Sequence, residues 1–257
     1  MTDNTGASEF VKSDQTMFSI IECIHQEDEM GVTELADAVD FSKSAVHKHL
    51  KTLEEHGYVV NNGGRYQLGL KLLTLGGHIR DRNAFCRCAR STVEDLAEES
   101  NQMASFILRD RTHGVFVFIE NDRYGLRKPV PLGNRYVIHQ NAAGKAILAE
   151  LPDETVADII EETNLPAETD NTITDAAELR TELEEIREQR YATSTGERIE
   201  DIQSIAAAVK SPDSDQIGAI SITGPADHLS QDTVHTECAE LVREAANELE
   251  LRMRYVE

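Results

Sequence analysis

The sequence has no tryptophan, few cysteines, few lysines and no long apolar run. A helix that crosses a membrane needs about 18 or more consecutive apolar residues, and the 257-residue chain offers none. Residues 1–10 are polar and acidic, without the apolar centre of a signal peptide. We therefore expect a cytoplasmic protein that does not associate with membranes.

Cysteine is too scarce for a disulfide framework in a chain of this length. Two of the four cysteines, Cys86 and Cys88, form a C-x-C pair, which differs from the C-x-x-C spacing of zinc knuckles and has no matching second pair. We therefore expect ordinary buried thiols, no metal site and no cofactor. A thiol or metal sensor built on Cys86 and Cys88 remains an alternative.

Acidic residues dominate the chain, with 47 Asp and Glu against 25 Lys and Arg and a formal net charge of −22. The apolar fraction of 40% is ordinary, so this acidity does not indicate disorder. Net charge keeps a protein soluble, and salt screens its self-repulsion. The composition is typical of adaptation to a high-salt cytoplasm; an acidic protein of a mesophilic host is the alternative.

One window reverses this charge. Residues 42–90 contain only three acidic residues, Glu54, Glu55 and Asp81, and have a net charge of +6. A basic window in an acidic chain indicates an anionic partner, most simply a nucleic-acid backbone. Its basic residues are Lys43, Lys48, Lys51, Arg65, Lys71, Arg80, Arg82, Arg87 and Arg90.

The same window begins with the pattern of a helix-turn-helix. Thr33 is a suitable N-cap for a short helix, and Ser42 for a second, longer one. Val46, Leu50 and Leu53 recur at helical spacing and predict the buried side of the second helix. The opposite side is basic and hydrogen-bonding, as in a helix that reads the major groove. It carries Lys43, Ser44, His47, Lys48 and Lys51.

A β-hairpin is predicted directly after this helix. Two short β-rich runs flank residues 61–64, Asn-Asn-Gly-Gly, a strong hairpin signal. A hairpin behind a recognition helix is a wing, from which Arg65 is placed to contact phosphate or the minor groove. Two alternatives remain: a helical hairpin with a merely solvated charged face, and an adaptor that uses residues 1–80 for protein contacts.

The second half of the chain alternates helices and strands in the order of an α+β domain. Strand-like runs include residues 103–109, 115–121, 204–210 and 217–223, and residues 126–138 continue extended. The P-loop, G-x-S-x-G, H-E-x-x-H and G-x-G-x-x-G motifs are absent. We therefore predict no catalytic residues.

Both halves resemble the IclR family of transcription regulators. The resemblance rests on VTELADAVDFSKSAVHKHLKTLEEHGYVV and GRYQLGLKLLTLG in the first half, and on HQNAAGKAILAELP, SIAAAV and IGAISITGP in the second. It implies a winged helix-turn-helix at 16–69 after a disordered tail at 1–15. A linker helix at 70–83, which pairs protomers in the family, then leads to a GAF-like effector-binding domain at 84–257. The family usually has Thr at Ala45 and Arg at Lys48.

The effector site is expected where three hydroxyls and a helix start converge. Ser221 and Thr223 lie two apart on one strand, Ser204 lies on the preceding strand, and residues 141–144 open a helix with small side chains. The resemblance adds that many members carry Asp at Ser194 and Cys at Ser204. The positions it implies for effector contact are Ala142, Ala143, Ser194, Ser204, Ser221 and Thr223.

Together these features predict a ligand-responsive regulator that acts as a dimer or tetramer. Winged helices of two protomers would read a pseudo-palindromic operator in double-stranded DNA. A small organic-acid or sugar-derived effector would bind the second domain and modulate DNA binding. The residues predicted to contact DNA are Thr33, Ser42, Lys43, Ser44, His47, Lys48, Lys51 and Arg65.

Overall fold

The computed structural model describes residues 11–120, 130–212 and 214–255. Its contacts divide the chain into two units, one ending at Ile79 and the other beginning at Arg80. Within these ranges no helix is long and apolar enough to span a membrane. The predicted disordered tail at 1–15 falls outside the described residues up to residue 10. For residues 12–15 the prediction of disorder is wrong, because a helix begins at Lys12.

The first unit is a three-helix domain with a small antiparallel sheet, in the order β1-β3-β2. Leu35, Val46 and Leu50 are fully buried at its centre, together with Ile20 and Ile24 of the first helix. The elements are α1 (Lys12–Glu27), β1 (Met30–Gly31), α2 (Val32–Ala38), α3 (Lys43–Glu55), β2 (Val59–Asn62) and β3 (Arg65–Leu68).

The helix starts follow two different capping rules. Ser42 caps α3 as predicted, since its Oγ accepts the Ala45 amide at 3.2 Å. Thr33 was expected to cap α2, and this prediction is wrong. The cap is Gly31, whose amide donates to Glu34 Oε2 at 2.7 Å. The side chain of Glu34, three positions after the cap, thus reaches back and accepts the hydrogen bond of the Gly31 amide. Thr33 lies exposed in the first turn of the helix.

The predicted hairpin is present as β2 and β3. Its two-residue turn, Gly63 and Gly64, has φ values of 63° and 95°. Such positive angles match the tight turn whose twist suits a hairpin, and glycine adopts them without strain. The Gly64 amide also donates to Asn61 Oδ1 at 2.8 Å. The additional strand β1 pairs with β3 through Met30 and Gly31 and was not predicted.

Helix α4 (Lys71–Arg82) covers most of the expected linker helix at 70–83. None of its residues is buried. Leu73 and Ile79 are about 70% exposed, at 71% and 72%, and Leu75 is 41% exposed. The boundary between the two units falls within α4, between Ile79 and Arg80.

The second unit is an antiparallel sheet with helices on both faces. Among the described residues the sheet has six strands in the order β6-β5-β4-β9-β8-β7. Residues 126–129 of the predicted extended segment 126–138, and residue 121 of the predicted strand 115–121, lie outside the described ranges. The elements are α5 (Ala84–Ser100), β4 (Met103–Asp110), β5 (His113–Glu120), β6 (Arg135–Val137), α6 (Ala142–Ala149), α7 (Asp153–Thr163), α8 (Ala176–Gln189), β7 (Ala192–Thr195), β8 (Ile202–Lys210), β9 (Ile217–Pro225), α9 (Ala226–Leu229) and α10 (Asp232–Met253).

Strand alternation separates two apolar cores. On β9, Ile220 and Ile222 pack in the core formed with α5 and α10. Ala219 on β9 and Ala206 on β8 point to the opposite face and pack in the core formed with α6 and α8. Small side chains on this second face let α6 lie close to the sheet.

Gly144 makes the start of α6 possible. A Cβ at this position would overlap the carbonyl oxygen of Ile138, which belongs to the short 3-10 turn before the helix. The glycine predicted to admit a ligand therefore serves the packing of its own backbone. Asn141 caps the helix, with its Oδ1 accepting the Gly144 amide at 2.9 Å.

Two glycine substitutions should have opposite effects on stability. We expect Gly144→Ala to lower the free energy of unfolding by more than about 3 kcal/mol, because backbone must move to relieve the overlap. Gly76→Ala on α4 meets no atom within 4 Å. It should raise the free energy of unfolding by up to about 1 kcal/mol through helix propensity. Denaturant unfolding measures both, and equal effects would contradict the packing described.

Candidate DNA interface and effector site

One face of α3 is exposed and basic. Val46, Leu50 and Leu53 bury the opposite face, as predicted. The side chains of the exposed face are free to enter a groove, and no ion pair involves its lysines within the described ranges. This exposed face of α3, called the basic face below, consists of Lys43, Ser44, His47, Lys48 and Lys51.

Arg65 on the wing is already paired. Its Nε lies 2.6 Å from Glu29 Oε1, and its Nη1 lies 3.2 Å from Glu34 Oε2. Its Nη2 donates to the Glu29 carbonyl at 3.0 Å. The hydrogen bond with Glu29 raises the pKa of Arg65 most, and the hydrogen bond with Glu34 raises it further. The guanidinium therefore fastens the turn end of the wing to the loop before α2 and to the first turn of α2.

The second unit contains a cavity of about 40 Å³ with both polar and apolar lining residues, called the inner cavity below. Strand register builds one wall, because Ser194 of β7 pairs with Ser204 of β8, which pairs with Thr223 of β9. All three line the inner cavity, as do Asn141 at the start of α6 and the apolar Met103. The structure thus brings three of the six predicted effector residues together.

The other three predicted residues, Ala142, Ala143 and Ser221, do not line the inner cavity. Ala142 and Ala143 are 0% and 1% exposed and belong to the core between α6 and the sheet. The Ser221 hydroxyl lies 2.9 Å from that of Ser105, its register partner on β4. The Ser221 hydroxyl therefore has a hydrogen-bond partner 116 positions away in the sequence. Sequence spacing does not reveal such a contact.

Arg198 also lines the inner cavity and was not predicted from the sequence. It follows β7 and lies against two rings, with its guanidinium carbon 4.8 Å from the Tyr136 ring centroid and 5.5 Å from that of Phe116. Its Nη2 donates to Asn134 Oδ1 at 2.7 Å. Burial lowers the pKa of Arg198. Its one sequence signal is a cation in an otherwise polar, acidic segment, STGERIED.

A second cavity, the outer cavity, lies on the other side of Arg198. Its volume is about 370 Å³. Arg198 is the one described residue that lines both cavities. The outer wall is polar and includes His113, Arg135, Tyr136, Gln140 and Glu168.

A buried lysine anchors the segment that carries Arg198. Lys145 of α6 is 1% exposed, and its Nζ lies 2.7 Å from Glu197 Oε1 and 2.9 Å from Glu182 Oε1. The Glu197 carbonyl accepts the Thr172 hydroxyl at 2.6 Å. Burial raises the pKa of Glu197, and the Lys145 charge opposes this. The backbone beside Arg198 is therefore held from two sides.

The cysteines show no reactive site. Cys86, Cys88 and Cys238 are buried, and burial raises the pKa of Cys86 and of Cys238 to about 11. A thiol with such a pKa is almost entirely protonated at neutral pH and reacts slowly. Over the described ranges no three His, Cys, Asp or Glu side chains are grouped to hold a metal ion. The geometry therefore offers no support for the thiol or metal sensor.

Comparison with known proteins decides the family. A model of the IclR helix-turn-helix domain matches residues 17–63, and a model of the bacterial transcriptional regulator IclR C-terminal domain matches residues 79–251. The chain belongs to the IclR family. It is accordingly a transcription regulator with a helix-turn-helix DNA-binding domain and a C-terminal effector-binding domain, and it is not an enzyme.

Individual relatives agree along nearly the whole length. The probable HTH-type transcriptional regulator ArcR of Halobacterium salinarum is 28% identical over 254 residues, or 97% of each chain. The crystal structure of the Thermotoga maritima IclR superposes with a TM-score of 0.78 at 25% identity, covering 94% of this chain and 98% of that one. An IclR homologue of Microbacterium hydrocarbonoxydans complexed with 4-hydroxybenzoate gives a TM-score of 0.78 at 18% identity, covering 93% and 100%.

His139, directly before the start of α6, should make the effector domain sensitive to acid. It is fully buried, and burial, with the Lys145 charge acting in the same direction, lowers the pKa of His139 to about 4. As pH falls from about 6.5 to 4, the unfolded chain takes up this proton first. The free energy of unfolding should therefore fall by up to about 3 kcal/mol over this range.

Comparison of two variants isolates this effect. His139→Gln should flatten the pH dependence of unfolding, whereas His25→Gln, on the exposed side of α1, should leave it unchanged. Denaturant unfolding in high salt at a series of pH values measures the slope. An unaltered slope in His139→Gln would show that other groups cause the acid sensitivity.

Proposed function

We propose that two protomers place their α3 helices in successive major grooves of a pseudo-palindromic operator. Protein two-fold symmetry maps onto DNA half-sites in this way. Such a role places the protein in the cytoplasm with the DNA. The proposed DNA-contacting residues are Thr33, Ser42, Lys43, Ser44, His47, Lys48, Lys51 and Arg65.

The observation that carries this proposal is the basic face of α3. Its three lysines project from the helix that the helix-turn-helix family model covers, in a chain whose net charge is −22. The acidic remainder of the protein repels DNA, so DNA would approach the protein at this face of α3. Lys48 binds phosphate as a point charge and is less suited than arginine to reading guanine.

Arg65 has a conditional part in this interface. It would contact phosphate only after release from Glu29 and Glu34, the carboxylates that pair with it beside the wing turn. Its first effect is thus to position the wing, and the lysines of α3 supply most of the electrostatic attraction.

Self-association is proposed through α4. Leu70, Leu73 and Ile79 expose between 71% and 80% of their surfaces, and an apolar patch of this kind marks an interaction surface. A second copy of the helix would bury these side chains and provide the symmetric pair that an operator requires. The arrangement is compatible with a dimer or a tetramer.

The proposed effector is a small organic-acid or sugar-derived molecule bound at the inner cavity. Ser194, Ser204 and Thr223 offer hydroxyls to it. Ala142, Ala143 and Ser221 would act indirectly, by holding the start of α6 against the sheet. The homologue complexed with 4-hydroxybenzoate supports an organic acid. Binding would bias the pairing of protomers and so the spacing of the α3 helices.

Removing the lysines of α3 should weaken DNA binding without loss of fold. Each lysine that contacts phosphate adds about 1 to the slope of log affinity against log salt. The triple variant Lys43→Ala, Lys48→Ala, Lys51→Ala should lose affinity for random DNA and up to about 3 units of slope per protomer. Fluorescence anisotropy over a potassium series measures both quantities.

Lys71→Ala is the matched control, since this lysine begins α4 and lies outside the basic face of α3. It should keep the salt slope. Equal losses in the control and the triple variant would place DNA elsewhere. Retained DNA affinity in the triple variant would favour the adaptor function for residues 1–80.

Effector and operator should each change the affinity for the other by the same factor, about 5- to 150-fold. A ligand selected from organic acids and sugar derivatives by thermal shift serves for both titrations.

Ser204→Ala should lower the affinity for that ligand by about 5- to 10-fold through a lost hydrogen bond. Ser221→Ala should weaken binding of that ligand less, because Ser221 lies off the cavity wall and bonds to Ser105. Independent affinities for ligand and operator would disprove the switch.

A further inference from the structure

Arg198 is unusual among the arginines near the two cavities. Arg135, which also lines the outer cavity, is neutralised by Asp110, with 3.1 Å between Nη2 and Oδ2. No carboxylate of the described ranges forms an ion pair with Arg198. Its one side-chain hydrogen bond within those ranges goes to the neutral Asn134. Among the described residues, its charge is therefore balanced by two ring faces and by Glu168 at longer range.

The inner cavity is so small that the position of the charged Arg198 side chain matters for ligand binding. A volume of about 40 Å³ corresponds to little more than one water molecule, whose share of liquid volume is about 30 Å³. Pockets that bind small ligands measure about 300–1,000 Å³. The outer cavity, at about 370 Å³, reaches that range. A ligand that touches Ser204 and Thr223 therefore needs more room than the inner cavity offers, and Arg198 is the one described residue that lines both cavities.

The surrounding contacts restrict how Arg198 moves. Lys145 holds the Glu197 carboxylate and Thr172 holds the Glu197 carbonyl, so the adjacent backbone is fixed. The Arg198 side chain itself is held by one hydrogen bond and two ring contacts. The guanidinium thus has fewer fixing contacts than the backbone that carries it.

We propose that Arg198 is the anion-pairing residue of the effector site, and that it admits an organic anion by turning its guanidinium from Tyr136 and Phe116 toward that anion. The inference rests on the proposed effector function. It narrows the effector to a charged molecule whose anionic group meets Arg198 and whose polar remainder meets Ser194, Ser204 and Thr223. A neutral sugar would leave the guanidinium unpaired.

A cysteine reporter tests this without knowledge of the effector. Ser204→Cys changes one side-chain atom and places a thiol in the inner cavity. Full-length protein is treated with sulfonatoethyl methanethiosulfonate, an anion, or with its trimethylammonium analogue, a cation. Mass spectrometry follows labelling at position 204. The ratio of the two rates cancels any change in thiol reactivity, and labelling of the half-buried Cys23 provides an internal reference in the other unit.

We expect the anionic reagent to label position 204 about 10-fold faster than the cationic one, although the net charge of −22 favours cations elsewhere. Adding Arg198→Gln should abolish or reverse this preference. Arg198→Lys should retain part of it, because the charge remains. Arg135→Gln should leave the ratio unchanged, since Asp110 already neutralises that arginine.

Three results would overturn the proposal: no preference for the anion, a preference that persists in Arg198→Gln, or position 204 inert to both reagents in every background. None of them bears on operator binding, so the regulator function would stand. Conversely, independent ligand and operator affinities would disprove the switch while leaving the charge selectivity of Arg198 intact.

Discussion

The buried ammonium of Lys145 is the interaction on which the effector site depends. It joins α6 to Glu182 on α8 and to Glu197 beside Arg198. A buried charge is tolerated only when its partners are well placed, and losing one partner typically costs about 3–5 kcal/mol. The pair therefore fixes the start of α6 and the segment after β7 relative to each other. The inner cavity lies where those two elements meet the hydroxyls of the sheet.

Electrostatics separates the tasks of the two units. The basic face of α3 is the exception in an acidic chain, and the carboxylates of Glu29 and Glu34 already neutralise Arg65 on the wing. In the effector domain Arg198 lines the inner cavity and forms no ion pair with the described residues. We propose that in both places this positive charge marks the surface that meets an anion, a phosphate backbone at α3 and a small organic anion at Arg198. We propose that the acidic remainder serves solubility in high salt.

Local rules made much of the fold predictable. Helical spacing identified the buried face of α3, Ser42 its cap, and the Asn-Asn-Gly-Gly run the wing. Sequence failed where distant segments decide. Glu34 rather than Thr33 completes the cap of α2, Ser105 occupies Ser221, and packing rather than ligand access explains Ala142, Ala143 and Gly144. The row from Ser194 to Thr223 required strand register, and Arg198 gave no periodic signal because its segment is irregular.

The most direct test of sequence-specific regulation is a footprint of the purified protein on its own upstream intergenic DNA, in high potassium salt. The account predicts a protected site with two-fold symmetry, its half-sites about one helical turn or a multiple of it apart. Circular dichroism in the same buffer verifies the fold. A folded protein that protects no discrete site, or only a single asymmetric one, would contradict the paired-helix account.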